Sequence, residues 1–237
     1  PRTFEEELVA LSHLMDLSAS EPIWQRVAVT MDKLLYTIAL NAYRGVLGAT
    51  QGAADVDTIK GGLLSPTAGM TRLLWGQGIF NHHLAGVVSL ACMEDYDVPP
   101  LVAEIATTEL EEVWNREAHV IEAGQTVSKV AYRTPDYLLA SAQDYRVGKR
   151  GGREHIWQAT LGPEAVVYTT HPASLGVGAG HVPGFWLGNA TLPRVAQWKD
   201  ALVALYNLPD DDWMGYTHAY FPAYAFDAHV LRESDAG

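Results

Sequence analysis

Three adjacent polar residues, Asn81, His82 and His83, interrupt an otherwise apolar segment between residues 78 and 86. A buried polar group is costly unless it is hydrogen-bonded, so one reading is that these side chains are satisfied within a core. The other reading is catalytic. An asparagine and a protonated histidine could neutralise the carboxylate of a uronate sugar, which acidifies the neighbouring C–H bond for removal by a tyrosine or histidine base.

Residues 145–155 form the most basic segment, with four of the sixteen lysines and arginines of the chain inside eight positions. The protein has a net charge of −12, and in that setting a mobile cationic loop could attract a polyanionic ligand. A solvated, glycine-rich hairpin tip is the structural alternative. Tyr145 and His155 stand at the two ends of the segment.

Aromatic side chains beside hydrogen-bonding groups recur from residue 155 onward. On a strand, His155 and Trp157 would share one face, and Ile156 and Gln158 the other. Rings stack on the C–H faces of pyranoses while polar neighbours bind hydroxyls, so the pattern indicates sugar binding, although each ring taken singly is more typical of a core. The predicted substrate-binding residues are Arg146, Lys149, Arg150, Arg153, Trp157, Gln158, Trp186, Asn189, His218 and Tyr220.

Other chemistries have weaker sequence signals. Nine histidines are present, but none stands in a close ligand pattern such as H-E-x-x-H. His155, His171 and His218 could meet at a metal only through the fold, so we expect no required cofactor and keep a structural divalent metal as an alternative. The chain also has neither a phosphate-binding P-loop nor a G-x-S-x-G nucleophile elbow.

A glycoside hydrolase needs two carboxylates on opposite sides of the scissile bond. Candidates stand in the glycine-rich stretch, as Asp55 and Asp57, and around the basic segment, as Asp144 and Glu154. Acidic side chains are common on protein surfaces, so hydrolysis is the second choice.

Composition excludes several classes of protein. With 28 acidic and 16 basic residues, the chain lacks the broad positive field of a protein that coats nucleic acid or a membrane surface. No apolar run approaches the ~20 residues of a membrane-spanning helix. The single cysteine, Cys92, excludes an intrachain disulfide, and its apolar surroundings favour a buried thiol. The sequence indicates no compartment and leaves a homo-oligomer open.

The first ~115 residues show helical periodicity. Apolar spacing of three and four predicts a helix over residues 4–15 and a longer one that begins at Ser20 and Pro22. Two further helices are predicted, from Ser65 or Thr67 to Trp75 and from Pro100 to about Thr107. The glycine-rich stretch over residues 45–66 is longer than an ordinary connection, and long ordered loops often line a site.

After about residue 115 the pattern changes to short strands separated by turn residues. The prediction is an α+β fold with a helical segment over residues 1–115 and an antiparallel β-sandwich segment over residues 116–237. Residues 198–207 fit a helix as well as a strand. With no initiator methionine and a strand-like segment near its end, the chain is expected to be a fragment of a longer protein. Strands are predicted over residues 127–133, 137–143, 155–161, 166–170, 194–197, 201–206 and 217–221.

Residues 132–146 resemble the strand that opens the β-sandwich in polysaccharide lyases of the heparinase II/III-like and chondroitin or hyaluronate lyase type. Four further segments, residues 76–83, 143–146, 155–161 and 216–222, are similar to uncharacterised bacterial and fungal relatives of these enzymes. The resemblance implies a partial (α/α) toroid followed by a β-sandwich. It also implies β-elimination on an acidic polysaccharide.

In those lyases the base and acid are tyrosine and histidine, and asparagine, histidine or arginine binds the carboxylate. By resemblance, Asn81 with His82 or His83 would neutralise the uronate. Proton transfer would fall to Tyr137 or Tyr145 together with His155. A glycoside hydrolase on the same scaffold, or a non-catalytic carbohydrate-binding fragment, stays open as an alternative.

Overall fold

Helices precede a mostly antiparallel sheet along the chain, which confirms the α+β prediction. The structure is a computed structural model and describes residues 2–121, 124–173 and 186–227. The helices are α1 (Arg2–Leu17), α2 (Glu21–Asn41), α3 (Val56–Lys60), α4 (Pro66–Trp75), α5 (Ala85–Ala91) and α6 (Pro100–Thr107). The strands are β1 (Ala42–Tyr43), β2 (Val46–Leu47), β3 (Val113–Val120), β4 (Thr126–Arg133), β5 (Leu138–Gln143), β6 (Trp157–Thr160), β7 (Val166–Thr170), β8 (Arg194–Trp198), β9 (Ala201–Leu205) and β10 (His218–Tyr220).

The helices pack around one apolar cluster. Helix α1 contacts α2, α4 and α5, and α2 contacts α6. Leu8, Met31, Leu35 and Ile38 are fully buried there, at the spacing that places side chains on one face of a helix. Ser20 is the residue before α2, as predicted, although its side chain makes no capping hydrogen bond. Among the described residues, no helix is long and apolar enough to cross a bilayer.

The sheet has the strand order β10-β7-β6-β5-β4-β3 among the described residues, with antiparallel pairing throughout. The hairpin β8–β9 packs against one face of it through a cluster of Ala142, Ile156, Leu192 and Val195. All seven predicted strands are confirmed, and the ambiguous residues 198–207 belong to this hairpin rather than to a helix.

Two features differ from the sequence prediction. Strand β3 begins at Val113, inside the segment that was expected to be helical. The sequence did not predict this strand, because its polar, largely exposed side chains lack the alternation of a half-buried strand. Cys92 is exposed, although it was expected to be buried. It follows the last turn of α5, where the chain leaves the helical core.

The glycine-rich stretch joins the helices to the sheet. It forms the short β1–β2 hairpin, then an isolated bridge between Gln51 and His155, and then α3. Ala54 and Ile59 pack against Val166 and Tyr168 of β7. The long connection is therefore ordered because it supplies a backbone partner to His155 and apolar side chains to β7.

Candidate functional site

A cleft lies where this glycine-rich stretch meets the sheet. It consists of two cavities, of about 460 Å³ and 240 Å³, which share Thr50, Gln51, Gly52 and Lys129 in their linings. We call them together the junction cleft. A third cavity, of about 650 Å³, shares Ile121 and Tyr145 with the smaller one and includes Arg146. We call the three cavities, which share these lining residues, the trough.

Tyr145 and His155 both line the smaller cavity of the junction cleft. Tyr145 lies just beyond β5, between Asp144 and Arg146, which both adopt left-handed backbone angles and turn the chain away from the sheet. His155 lies just before β6 and is fixed by its backbone bridge to Gln51. The two ends of the basic segment are therefore brought to one cavity.

His155 is a neutral imidazole in the folded protein. It is 3% exposed, and its burial lowers its pKa to about 4. Its Nε2 lies 2.8 Å from Oε1 of Gln158, while Nε2 of Gln158 donates to Oγ1 of Thr160 at 2.8 Å. Gln158 therefore presents an acceptor, so Nε2 of His155 carries the proton and Nδ1 is its basic nitrogen.

Lys129 lines both cavities of the junction cleft and stands opposite Glu117 in the β3–β4 pairing. Burial lowers the pKa of Lys129, and the charge of Glu117 partly offsets that effect. Burial also acts to raise the pKa of Glu117. The charge of Lys129 and hydrogen bonds from Asn41, Asn115 and His119 outweigh it, so the pKa of Glu117 lies below its usual range.

The basic segment is held to the rest of the protein by backbone hydrogen bonds. Gly148 N donates to Leu192 O at 2.9 Å, Leu192 N to Lys149 O at 2.9 Å, and Gly151 N to Asn189 O at 2.8 Å. Lys149 and Arg150 are exposed. The segment is thus a fixed border of the trough with outward-facing cations.

The two other arginines of the segment are partnered within the protein. Arg146 forms an ion pair with Glu154 at 3.3 Å. Arg153 donates to Ala54 O at 2.9 Å and forms an ion pair with Asp55. Both guanidinium groups therefore have carboxylate partners within the protein.

The remaining predicted sugar-binding residues lie away from the junction cleft. Trp157 donates through Nε1 to Oγ1 of Thr169 at 2.8 Å and lines a shallow cavity beside the β8–β9 hairpin. Trp186 packs on His218 at 3.8 Å and on Tyr220 at 5.0 Å between ring centroids. Asn189 is 1% exposed and accepts from the backbone N–H of His171 at 2.9 Å. Their visible contacts are within the protein.

The Asn81, His82 and His83 cluster fixes the loop between α4 and α5. Asn81 donates to Ser65 O at 2.9 Å and accepts from His83 N at 3.0 Å. Nδ1 of His83 lies 2.7 Å from Oε2 of Glu5 on α1, and His82 is exposed beside it. The visible contacts of this cluster match the structural reading rather than the catalytic one.

Tyr137 lies at the turn before β5, 6.3 Å from the ring of Tyr132. Burial and, to a lesser extent, the carboxylates of Asp200 and Asp136 raise its pKa. The structure thus places Tyr145 and His155 in the lining of one cavity, and Tyr137 and the Asn81 cluster elsewhere.

The histidines proposed as metal ligands have other partners. His171 is fully buried, with Nε2 3.1 Å from Oδ2 of Asp212 and with Nδ1 accepting from Thr191 N at 3.0 Å. His155 is bonded to Gln158, and His218 packs on Trp186. Within residues 2–121, 124–173 and 186–227, no three His, Cys, Asp or Glu side chains are grouped as ligands of a metal ion.

The candidate carboxylates for hydrolysis are mostly ion-paired. Asp55 pairs with Arg153, Glu154 with Arg146, and Asp144 with Arg194 at 3.4 Å. Asp57 is exposed on α3.

Sequence reasoning did not identify Lys129, Glu117 or His119. Glu117 and His119 are two residues apart and so share one face of a strand, which is a weak signal that β3 carries a polar site. Lys129 becomes notable only through the register that places it opposite Glu117. The register is a long-range property that no local pattern reports.

Comparison of the chain with family models, with curated proteins and with solved structures found no match. The resemblance to polysaccharide lyases is carried by the sequence segments quoted above and stays a prediction. Function is therefore argued from the geometry of the junction cleft.

Proposed function

We propose that this protein cleaves an acidic, uronate-containing polysaccharide by β-elimination in the junction cleft. The observation that carries the proposal is the smaller cavity of the junction cleft, whose lining includes both a phenol, Tyr145, and a neutral imidazole, His155. A tyrosine and a histidine are the pair that proton abstraction next to a carboxylate requires.

The two side chains divide the proton transfers. Nδ1 of His155 takes the proton from the carbon next to the uronate carboxylate, and the released electron pair forms the carbon–carbon double bond. The bond to the bridging oxygen breaks, and the hydroxyl of Tyr145 donates the proton that this oxygen needs to leave. With a pKa of about 4, His155 is unprotonated near neutral pH, so its Nδ1 can accept a proton.

The architecture proposed with this function is a partial (α/α) toroid joined to a β-sandwich. The order of helices before strands supports it, as does the β8–β9 hairpin that lies over one face of the larger sheet. The trough suits an extended chain, because its lining includes Arg146 beyond Tyr145. A concave site of this kind is a common place for a ligand.

The test is incubation of the protein with a panel of acidic polysaccharides while the ultraviolet absorbance of the unsaturated uronate is followed. Wild-type protein and Tyr137→Phe should raise the absorbance, because Tyr137 lies outside the junction cleft. Tyr145→Phe should not. A rise that is unaffected by Tyr145→Phe would contradict the assigned role of Tyr145, and new reducing ends without absorbance would identify a hydrolase.

Hydrolysis has less support in the structure, because three of its four candidate carboxylates are ion-paired with arginine. A binding module without catalysis would retain the polysaccharide and give neither product.

A further inference from the structure

Lys129 carries a cationic group into the junction cleft without a protein partner at contact distance. It lines both cavities, and it makes no hydrogen bond or ion pair within the part of the chain that the structure describes. A partly buried ammonium without a partner is unfavourable unless a ligand or water completes its hydrogen bonds.

Glu117 is the natural partner of Lys129 and is held away from it. The two residues face each other in the β3–β4 pairing. Oε1 of Glu117 instead accepts from Nδ2 of Asn41 and Nδ2 of Asn115, both at 2.6 Å, and Oε2 accepts from Nε2 of His119 at 2.8 Å. Three donors from two different elements thus restrain the carboxylate, and Lys129 is left for a ligand.

Arg153, the other basic residue that lines the larger cavity, does not compete for the same ligand. Arg153 is engaged by Asp55 and by Ala54 O. Among the described residues that line the junction cleft, Lys129 is thus the cation without a hydrogen bond or ion pair at contact distance, and a monoanionic group would suit it. Gln51 lines the same two cavities, and its Oε1 has no hydrogen-bond donor among the described residues, so a hydroxyl next to the anion would suit it.

From this arrangement we propose that Lys129 is a specificity-determining residue that binds the carboxylate of a sugar acid. Glu117, which is held in place by Asn41, Asn115 and His119, is the positioning group for Lys129. The proposal rests on the function proposed above for the identity of the ligand as a uronate. In this proposal Lys129 neutralises the carboxylate in place of the Asn81 cluster, because the contacts of that cluster lie within the protein.

The test is calorimetric titration of the intact protein with glucuronate, with glucose as the neutral analogue and glucose 6-sulfate as an alternative anion. Lys129→Met should weaken glucuronate binding roughly ten- to a hundredfold, since it removes a charge-assisted hydrogen bond. Lys199→Met is the matched control, because Lys199 pairs with Glu112 at the surface, and it should leave binding unchanged. Lys129→Gln is a second variant in case the methionine variant does not fold.

Unchanged glucuronate binding in a folded Lys129 variant would overturn the proposal, and so would equal binding of glucose. Tighter binding of glucose 6-sulfate than of glucuronate would overturn the assignment to a carboxylate. The two proposals fail separately. Uronate binding that depends on Lys129 without any unsaturated product contradicts elimination alone, whereas full turnover of polysaccharide by Lys129→Met contradicts the role of Lys129 alone.

Discussion

Gln51 and His155 exchange both of their backbone hydrogen bonds, with His155 N donating to Gln51 O at 2.8 Å and Gln51 N donating to His155 O at 3.1 Å. One residue belongs to the glycine-rich stretch after the helices, and the other precedes β6. Both also line the junction cleft. The same pair therefore joins the two parts of the fold and sets the position of the proposed base.

Breaking this bridge should destabilise the protein more than removing the side chain of Gln51. Gln51→Pro removes the N–H donor and should lower the free energy of unfolding by at least about 1 kcal/mol, because it leaves a buried carbonyl without its partner. Gln51→Ala keeps both backbone bonds and is the control. Chemical denaturation measures both variants, and equal losses would contradict a structural role for the bridge.

His155 should make stability depend on pH. Its pKa is about 4 in the folded protein against 6.5 for an unperturbed histidine. Above pH 6.5 both states hold it neutral. As the pH falls below 6.5 the unfolded chain binds the proton first, so the free energy of unfolding falls, by up to about 3 kcal/mol, and levels off below pH 4.

The contribution of His155 is isolated by comparison with His155→Gln, whose amide can replace the Nε2 donor. Denaturant midpoints measured from pH 7 to pH 4 should converge for the two proteins as the pH falls, because only the wild type loses this contribution. Parallel curves would show that His155 titrates normally and is not held neutral.

The Glu5 and His83 pair should affect stability and not turnover. Glu5 accepts from His83 at 2.7 Å and from Ala85 N at 2.9 Å, which ties the loop after α4 to α1. A double-mutant cycle with Glu5→Gln and His83→Ala should give a coupling of about 1 kcal/mol, reduced by the partial exposure of both side chains. If the folded His83→Ala protein lost polysaccharide cleavage, the Asn81 cluster would have to be catalytic after all.

The order of elements follows from local pattern, whereas the site depends on long-range contacts. Short runs of β-branched and aromatic residues between turn residues located β4 to β10, and three- and four-residue spacing located α1 and α2. Nothing local indicates that Gln51 pairs with His155 or that Lys129 faces Glu117, since both relationships depend on strand register across distant parts of the chain. Of the catalytic candidates, Tyr145 and His155 could be named from the sequence, but not their shared cavity.

Tyr145 and His155 should behave as one catalytic unit. Each of Tyr145→Phe and His155→Gln removes one proton transfer and should lower the rate of unsaturated-uronate formation by roughly a hundred- to ten-thousandfold. Because either loss stalls the same elimination step, the double variant should be scarcely slower than the worse single variant. Initial rates at saturating polysaccharide give the comparison. Two effects that multiply independently would contradict a coupled pair, because each side chain would then contribute to the rate without the other.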